Sequence, residues 1–339
     1  LRYLCAGACQ ARGHGACRQV PGSLIGVRRP KVAVVGVVGR SNAGKSTLVN
    51  RLVGDKVSIV SPVEQTTRNT IRGIVDEERG QLVLLDTPGL HKAVGNLGRI
   101  LNRMARRSAA GADILAVVFD AAEEPQMEDI GWMSRVIRER HEKLIFVLNK
   151  ADCVNFHEAE FRSAWDEVVS DAKAVPPEDG NLFIPEPRWI RAISTTEGGA
   201  NKVLDALFEF AEEGEKLFPE DIVTDYPRRL AIADTIREKF LKRMHQEIPH
   251  ELGIAVKKIV EGSGRWDVEA DVLVNRPSQK PIVIGRGAET LKNVRKQAER
   301  ELAEMFGLKI ALKLWVKVEP KWMQNEKLLT EMGYMGGEI

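Results

Sequence analysis

Apolar runs alternate with amphipathic stretches along the first two thirds of the chain. Val32-Ala-Val-Val35 with Val37-Val38 is β-branched and apolar, as a buried parallel strand is. Thr47-Leu-Val-Asn-Arg-Leu-Val53 then reads as a helix. Thr70-Ile-Arg-Gly-Ile-Val75 and Gln81-Leu-Val-Leu-Leu85 predict two strands joined by a charged hairpin around Arg79-Gly80. Asp113-Ile-Leu-Ala-Val-Val-Phe119 and Lys143-Leu-Ile-Phe-Val-Leu148 predict further buried strands, each after a helical segment. A long helix from Glu158 to Lys173 leads into Pro176-Pro177 and a loop through Pro185 and Pro187. Trp189-Ile-Arg-Ala-Ile193 predicts a last strand, and Ala200 to Glu213 a last helix. Strands alternating with helices mean a mainly parallel sheet with helices on both faces.

The pattern breaks from Gly214 to Tyr226, with Pro219 and Pro227 marking a linker. Beyond it the order becomes helix (Arg228 to Gln246), strand (Gly253 to Val260), strand (Asp267 to Asn275), short strand Ile282-Val-Ile284, helix (Ala288 to Phe306) and strand (Lys309 to Val318). That order is α+β. The expected division is an extension over 1–30, a first domain over 31–213, a linker over 214–227, a second domain over 228–320 and a tail over 321–339.

Composition changes the picture at one end only. The chain has 339 residues, 43% of them hydrophobic, and a net charge of +2, so any basic patch is local. No apolar run reaches the roughly 20 residues a membrane-spanning helix needs, so stable membrane insertion is not expected. Cys5, Cys9, Cys17 and Cys153 match no zinc spacing. Residues 1–30 hold Arg2, Arg12, Arg18, Arg28 and Arg29, and the first acid of the chain is Asp55. Arg-rich, acid-poor composition marks organelle transit peptides. A disordered extension or an altered start are the other readings of that stretch.

The chemistry begins at Gly39-Arg-Ser-Asn-Ala-Gly-Lys-Ser46, a full match to the phosphate-binding loop pattern between a strand and a helix. Its glycines, with Asn42 and Ala43 between them, let backbone N–H groups of the Gly44 to Thr47 turn face phosphate oxygens at the positive end of the helix. Lys45 is expected at the β- and γ-phosphates, and the Ser46 hydroxyl on Mg²⁺. Asp86-Thr-Pro-Gly89 ends a strand. Asp86 is the expected outer-shell metal partner, and Gly89 offers a backbone N–H to the γ-phosphate. Thr67 in Gln65-Thr-Thr-Arg68 is the choice for the hydroxyl that completes the metal shell; Thr66 competes with it. Lys45, Thr67 and Gly89 are thus the expected hydrolytic set.

Asn149-Lys150-Ala-Asp152 is N-K-x-D at another strand end. A buried Asp152 carboxylate would accept the N1–H and the N2 amine of guanine, and adenine lacks that amine. Ser194 and Thr195 follow the last strand and would support the base from the other side. The expected ligand is therefore GTP with Mg²⁺. Where Ras-like GTPases carry a water-orienting Gln after this glycine, Leu90 stands here, so slow intrinsic turnover is expected.

In the second domain, Ile282-Val-Ile-Gly285-Arg286-Gly287-Ala288 leads into a helix carrying Lys292, Arg295, Lys296 and Arg300. From Lys280 to Lys321 there are ten Lys or Arg against five Glu. An apolar segment, a Gly-containing turn and a basic helix follow the K-homology plan, whose loop clamps a nucleic-acid backbone. Gly285, Arg286, Gly287, Lys292, Arg295 and Lys296 are the candidate RNA contacts.

From about Val34 onward the chain resembles the Era family of GTPases. The residues that carry this are the phosphate loop, Gln65-Thr-Thr-Arg68, Asp86-Thr-Pro-Gly-Leu90, Asn149-Lys-Ala-Asp152, Ile236-Arg-Glu238, Glu247-Ile-Pro-His250, the Val283-Ile-Gly285 loop and Leu314-Trp-Val-Lys-Val318 followed by Trp322. The resemblance implies an α/β P-loop GTPase domain followed by an α+β type II KH domain. It also implies binding of the 3′ end of small-subunit ribosomal RNA, a role in assembling that subunit, and a monomer. GTPases of this kind use an Asn at the position of Asn42 to help hold K⁺. The C-terminal Lys321 to Ile339 looks most like plastid and cyanobacterial-type tails, which favours the chloroplast stroma over the mitochondrial matrix. Departures are Ser41 where the family has Pro, Ala43 where it often has Val, and Ala288 where the KH loop has its second Gly. At Ala288 a Cβ is expected to crowd the RNA backbone or to impose a negative φ. An RNA-binding assembly chaperone with little hydrolysis and a membrane-associated signalling GTPase are the alternative functions; phosphate release discriminates the first, and no lipidation signal supports the second.

Overall fold

The computed structural model describes residues 29–334 except 62, 64, 65, 90–94, 176–180 and 245–247. The Arg-rich stretch up to Arg28, Gln65, Leu90, Pro176-Pro177, Glu247 and the last five residues therefore lie outside the described residues.

The first part contains β1 (Lys31–Val38), α1 (Lys45–Val53), β2 (Ile71–Glu77), β3 (Gly80–Asp86), α2 (Gly95–Ala110), β4 (Ile114–Asp120), α3 (Met127–Arg138), β5 (Leu144–Asn149), α4 (Glu158–Ala174), β6 (Arg188–Arg191), α5 (Glu197–Phe210) and β7 (Glu212–Glu213). The sheet order is β2-β3-β1-β4-β5-β6. All pairs are parallel except the hairpin β2–β3 and the short β7, which lies antiparallel to β1. The last helix thus stops at Phe210, and Glu212–Glu213 turns back as a strand.

Continuous apolar runs divide between two faces because successive strand side chains point opposite ways. Ile114, Ala116 and Val118 join Leu48, Val49 and Leu52 of α1 and Val203, Leu204 and Leu207 of α5. Leu115, Val117 and Phe119 join Trp132 and Val136 of α3 and Phe161 and Trp165 of α4 on the opposite face. Helices on both faces leave the carboxyl ends of the parallel strands as the place where loops converge.

The second part contains α6 (Arg228–Leu241), α7 (Ile248–Glu251), β8 (Gly253–Glu261), β9 (Arg265–Val274), α8 (Gln279–Ile284), α9 (Glu289–Phe306) and β10 (Lys309–Val318), then α10 (Glu326–Glu331). Its sheet runs β10-β9-β8, with β9–β10 parallel and β8–β9 antiparallel. Ile232, Ile236 and Phe240 of α6 and Val294, Ala298 and Leu302 of α9 cover it.

Ile282-Val-Ile284, expected as a strand, is the end of helix α8. Two parallel strands need a crossover, and α8 with α9 supplies it between β9 and β10. Pro281 falls in the first turn of α8, where its missing N–H breaks no bond. Val283 is buried and Ile282 is 55% exposed, so a triplet too short to show a period has one inward position.

The segment expected as a tail is packed. Trp322, Leu329 and Met332 bury themselves with Leu97 and Leu101 of α2. Among the described residues no helix is long and apolar enough to cross a membrane.

Candidate functional site

β1 ends in a loop whose backbone is set by positive φ at Gly39 (143°), Asn42 (63°) and Gly44 (96°). A Cβ on Gly44 would lie 2.2 Å from Asn149 Nδ2. Glycine there lets that Nδ2 donate to the Ala43 carbonyl at 2.8 Å. Asn149 Oδ1 accepts from the Ser194 N–H at 3.0 Å and from the Ser194 hydroxyl at 2.8 Å. The side chains of Asn149 and Ser194, both expected at the nucleotide, thus staple the phosphate loop to the ends of β5 and β6.

A cleft of about 810 Å³ opens above this loop, lined by Asn42, Gly44, Lys45, Ser46, Thr47, Thr67, Gly89 and Lys150 among others. That volume suits a nucleotide-sized ligand. A more apolar groove of about 1100 Å³, between α3 and α4, holds none of the candidate residues. Gly39, Ala43, Asp86, Asn149 and Ser194 form no part of the cleft lining, and Asp152 and Thr195 are exposed on the loops after β5 and β6. Asp152 was expected as a buried carboxylate. In the structure its side chain is exposed.

Lys45 is buried, and its Nζ donates to the Arg40 carbonyl at 2.8 Å. Burial lowers its pKa to about 8, against the opposing charges of Asp86 and Asp129. Ser46 Oγ and Thr67 Oγ1 are 2.9 Å apart, whereas Thr66 Oγ1 turns away to donate to the Val63 carbonyl at 2.5 Å. Behind them both carboxylate oxygens of Asp86 are buried without a hydrogen-bond partner, and burial raises the pKa of this group. Buried polar atoms are normally satisfied, so an orphaned carboxylate beside a hydroxyl pair fits a hydrated divalent cation. Such a hard, all-oxygen donor set suits Mg²⁺. A Cβ on Gly89 would come within 2.6 Å of the Ser41 nitrogen, so only glycine lets this turn close on the phosphate loop.

The second part of the chain meets this site, which sequence reasoning missed. Lys242, just past α6, lines the cleft. Glu238 of α6 accepts from the Val60 N–H at 3.0 Å and from Lys56 at 2.8 Å. Although burial opposes it, hydrogen bonds from Lys239 and Lys56 bring the Glu238 carboxyl down to about 2. Arg237 donates to the Thr66 carbonyl. Arg68 donates to the carbonyls of Leu252 (3.0 Å) and His250 (2.8 Å), and stacks over Trp322. The only available signals were the Ile236-Arg-Glu238 motif and the neighbouring Gln65-Thr-Thr-Arg68, which sequence does not pair.

The basic loop joins α8 to α9. Gly285, Gly287 and Ala288 have φ of 77°, 60° and 61°. A Cβ at Gly285 would lie 2.3 Å from Thr290 Oγ1, so that position is closed to other residues. Ala288 takes a left-handed backbone, contrary to the expected negative φ, because the loop must reverse into α9. Arg286, Arg295 and Lys296 are exposed, and Lys292 folds back to the Gly287 carbonyl at 3.3 Å. An L-residue held in this region is strained by about 1–2 kcal/mol, part of which glycine returns as unfolded-chain entropy. Ala288→Gly is therefore expected to stabilise the second domain by about 0.5–1 kcal/mol, read as a higher urea midpoint for its unfolding. A lower midpoint would show that the strain is not there.

A family model described as a 50S ribosome-binding GTPase matches residues 34–150, and one described as a KH domain matches residues 247–323. The GTPase Era of Leuconostoc citreum is 34% identical over 308 residues, covering 90% of this chain and 96% of that protein. A crystal structure of an Aquifex aeolicus Era variant bound to GDP.AlF4- is similar with a TM-score of 0.78 and 31% identity, covering 90% of this chain and 99% of that one. Era in complex with MgGDPNP and nucleotides 1506–1542 of 16S ribosomal RNA has a TM-score of 0.77 and 31% identity over the same shares.

Proposed function

Since this chain belongs to the Era family of GTPases, we propose that it is a GTP-hydrolysing switch whose KH domain grips small-subunit ribosomal RNA near the 3′ end during assembly of that subunit. The observation that carries the first half is the pairing of the Ser46 and Thr67 hydroxyls in front of the unpartnered Asp86 carboxylate. For the second half, the support is the exposed Arg286 loop together with the RNA-bound Era structure. The GTPase-domain model is described by the large subunit, but the RNA in the Era complex is of the small one, which supports the small-subunit reading.

Mg²⁺, held by Ser46 and Thr67 with Asp86 behind them, would neutralise charge on the β- and γ-phosphates. Lys45 adds a positive charge whose Nζ the Arg40 carbonyl holds against the phosphate loop. The Gly89 turn, closed on Ser41 of the phosphate loop, would bring its backbone to the γ-phosphate. No side-chain amide follows Gly89 to orient water, which limits the unassisted rate. Asn42 lines the cleft at φ 63°, and we assign it a supporting role in holding K⁺ there. The Arg-rich, acid-free N-terminal stretch supports import into an organelle, and the Lys321 to Ile339 sequence favours a plastid over a mitochondrion.

The purified chain is expected to release phosphate from GTP, faster in K⁺ than in Na⁺ at matched ionic strength, and to bind the 3′-terminal small-subunit RNA segment in fluorescence anisotropy. Binding without phosphate release would make it an RNA chaperone; release without binding would remove the RNA assignment. Equal rates in the two salts would remove K⁺.

A further inference from the structure

The residue after the first phosphate-loop glycine, Arg40, is set among three carboxylates. Its guanidinium stands 2.6 Å from Glu123, 3.3 Å from Asp129 and 3.6 Å from Asp120. Asp129, on α3, is fully buried, and Asp120, the last residue of β4, is 3% exposed. Asp120 also takes Lys150 Nζ at 2.5 Å, and Lys150 is the lysine of N-K-x-D, held at φ 62°. Arg40 further supplies, through its carbonyl, the acceptor for Lys45. Arg40, Asp120, Glu123 and Lys150 all line the nucleotide cleft.

A buried carboxylate that bridges two cations is costly to assemble and is strongly felt when one member is removed. Asp120 Oδ1 also accepts from the Ala122 N–H at 3.3 Å, and the apolar clusters on both faces of the sheet do not include it. What the bridge does is join the phosphate end of the cleft to the base end. We propose that Asp120 is a positioning residue for nucleotide binding, locking the phosphate loop, through Arg40, to the base-recognition lysine Lys150. Its target is the guanine nucleotide as a whole, bound with its phosphates over Lys45 and its base beside Lys150, so the inference rests on the guanine reading above. Because the bridge is complete before the γ-phosphate is engaged, GDP and GTP should feel its loss alike. Burial raises the Asp129 pKa to about 6.

The test uses the full chain and a fluorescent GDP probe, with GTP turnover measured in parallel. Asp120→Asn removes the charge and keeps the shape. It is expected to weaken GDP about tenfold, and to raise KM for GTP by a similar factor with kcat within about twofold, as loss of a charge-assisted contact does. The double variant Asp120→Asn with Lys150→Met should bind no more weakly than Lys150→Met alone, because the two act through one contact. Glu269→Gln, which removes the partner of Lys313 outside the cleft lining, should change binding less than twofold, as loss of a surface pair does. Unchanged GDP affinity in Asp120→Asn would overturn the proposal, as would losses that multiply in the double variant, or a fall in kcat at constant KM. Should Asp120→Asn lower the melting temperature without nucleotide, Arg40→Lys decides. It keeps the charge and loses the planar fork, and unchanged GDP affinity there would equally overturn the bridge. GDP binding does not depend on hydrolysis, so a chain that bound GDP and released no phosphate would sink the GTPase reading and leave this one standing.

Discussion

Asp152→Asn is expected to transfer base preference from guanine to xanthine. Guanine presents two donors side by side, the N1–H and the N2 amine, and a carboxylate accepts both. An amide offers one acceptor and one donor, which meet the N1–H and the C2 carbonyl of xanthine. Hydrogen bonds to a charged group are worth about 1.5–3 kcal/mol each, so the change should weaken GTP by about a hundredfold while XTP improves. Asp152 is exposed, and its carboxylate makes no contribution to the packed interior. Its replacement should leave the melting temperature of the nucleotide-free protein in place, which separates a lost contact from a lost fold. The measurement is competition between GTP and XTP for the cleft. Full retention of GTP preference would show that guanine is read elsewhere.

Arg286→Glu should weaken RNA binding by considerably more than one contact. The loop carries an exposed Arg286 between two residues of positive φ, Gly285 and Gly287. A glutamate there sets like charge against phosphate, and about tenfold or more in affinity is expected at moderate salt. Lys292→Ala should cost less and lower the salt slope by about one unit, since one phosphate contact contributes about one released counterion. Lys292 is already turned toward the Gly287 carbonyl, which makes it a brace for the loop as well as a charge. GTP hydrolysis without RNA should be unaffected by either change. Fluorescence anisotropy across a salt series, with the 3′-terminal small-subunit segment, reads both. Parental affinity in Arg286→Glu would mean that the loop is not the clamp.

The contacts between the two parts of the chain bear on how such a switch is wired. α6 holds the Val60 N–H through Glu238 and the Thr66 carbonyl through Arg237, on either side of the residues leading to Thr67. α2, which follows Asp86-Thr-Pro-Gly89 in the chain, packs its Leu97 and Leu101 against Trp322 and Leu329. The segment leading to Thr67 and the helix that follows Gly89 in the chain therefore both pack against the second part of the protein.

Much of this protein was legible in the sequence because its signals are local. Strand, glycine-rich loop and helix follow one another within a few residues, so the phosphate loop can be read without knowing the fold. The apolar runs of β1, β4 and β5 are long enough to declare strands buried on both faces, and Lys309–Val318 carries its alternation from end to end. Asp86 and Asn149 were found because each ends such a run. What failed was short or distant. Ile282-Val-Ile284 is three residues, and only the parallel pairing of β9 with β10 makes that stretch part of a helical crossover. Asn149 is read as a nucleotide ligand from its motif, and only the fold shows its side chain also donating to the Ala43 carbonyl at 2.8 Å. Arg237 meets Thr66, and Lys56 meets Glu238, across separations of 171 and 182 residues. Asp120, Asp129 and Arg40 come from a strand end, a helix and a loop. Periodicity and spacing act within one element, so they determined which strands, helices and motifs exist. Which charges became partners was decided by the order of strands in the sheet and by the docking of α6, since Coulomb pairing depends on distance in space and burial, and neither is written in local sequence.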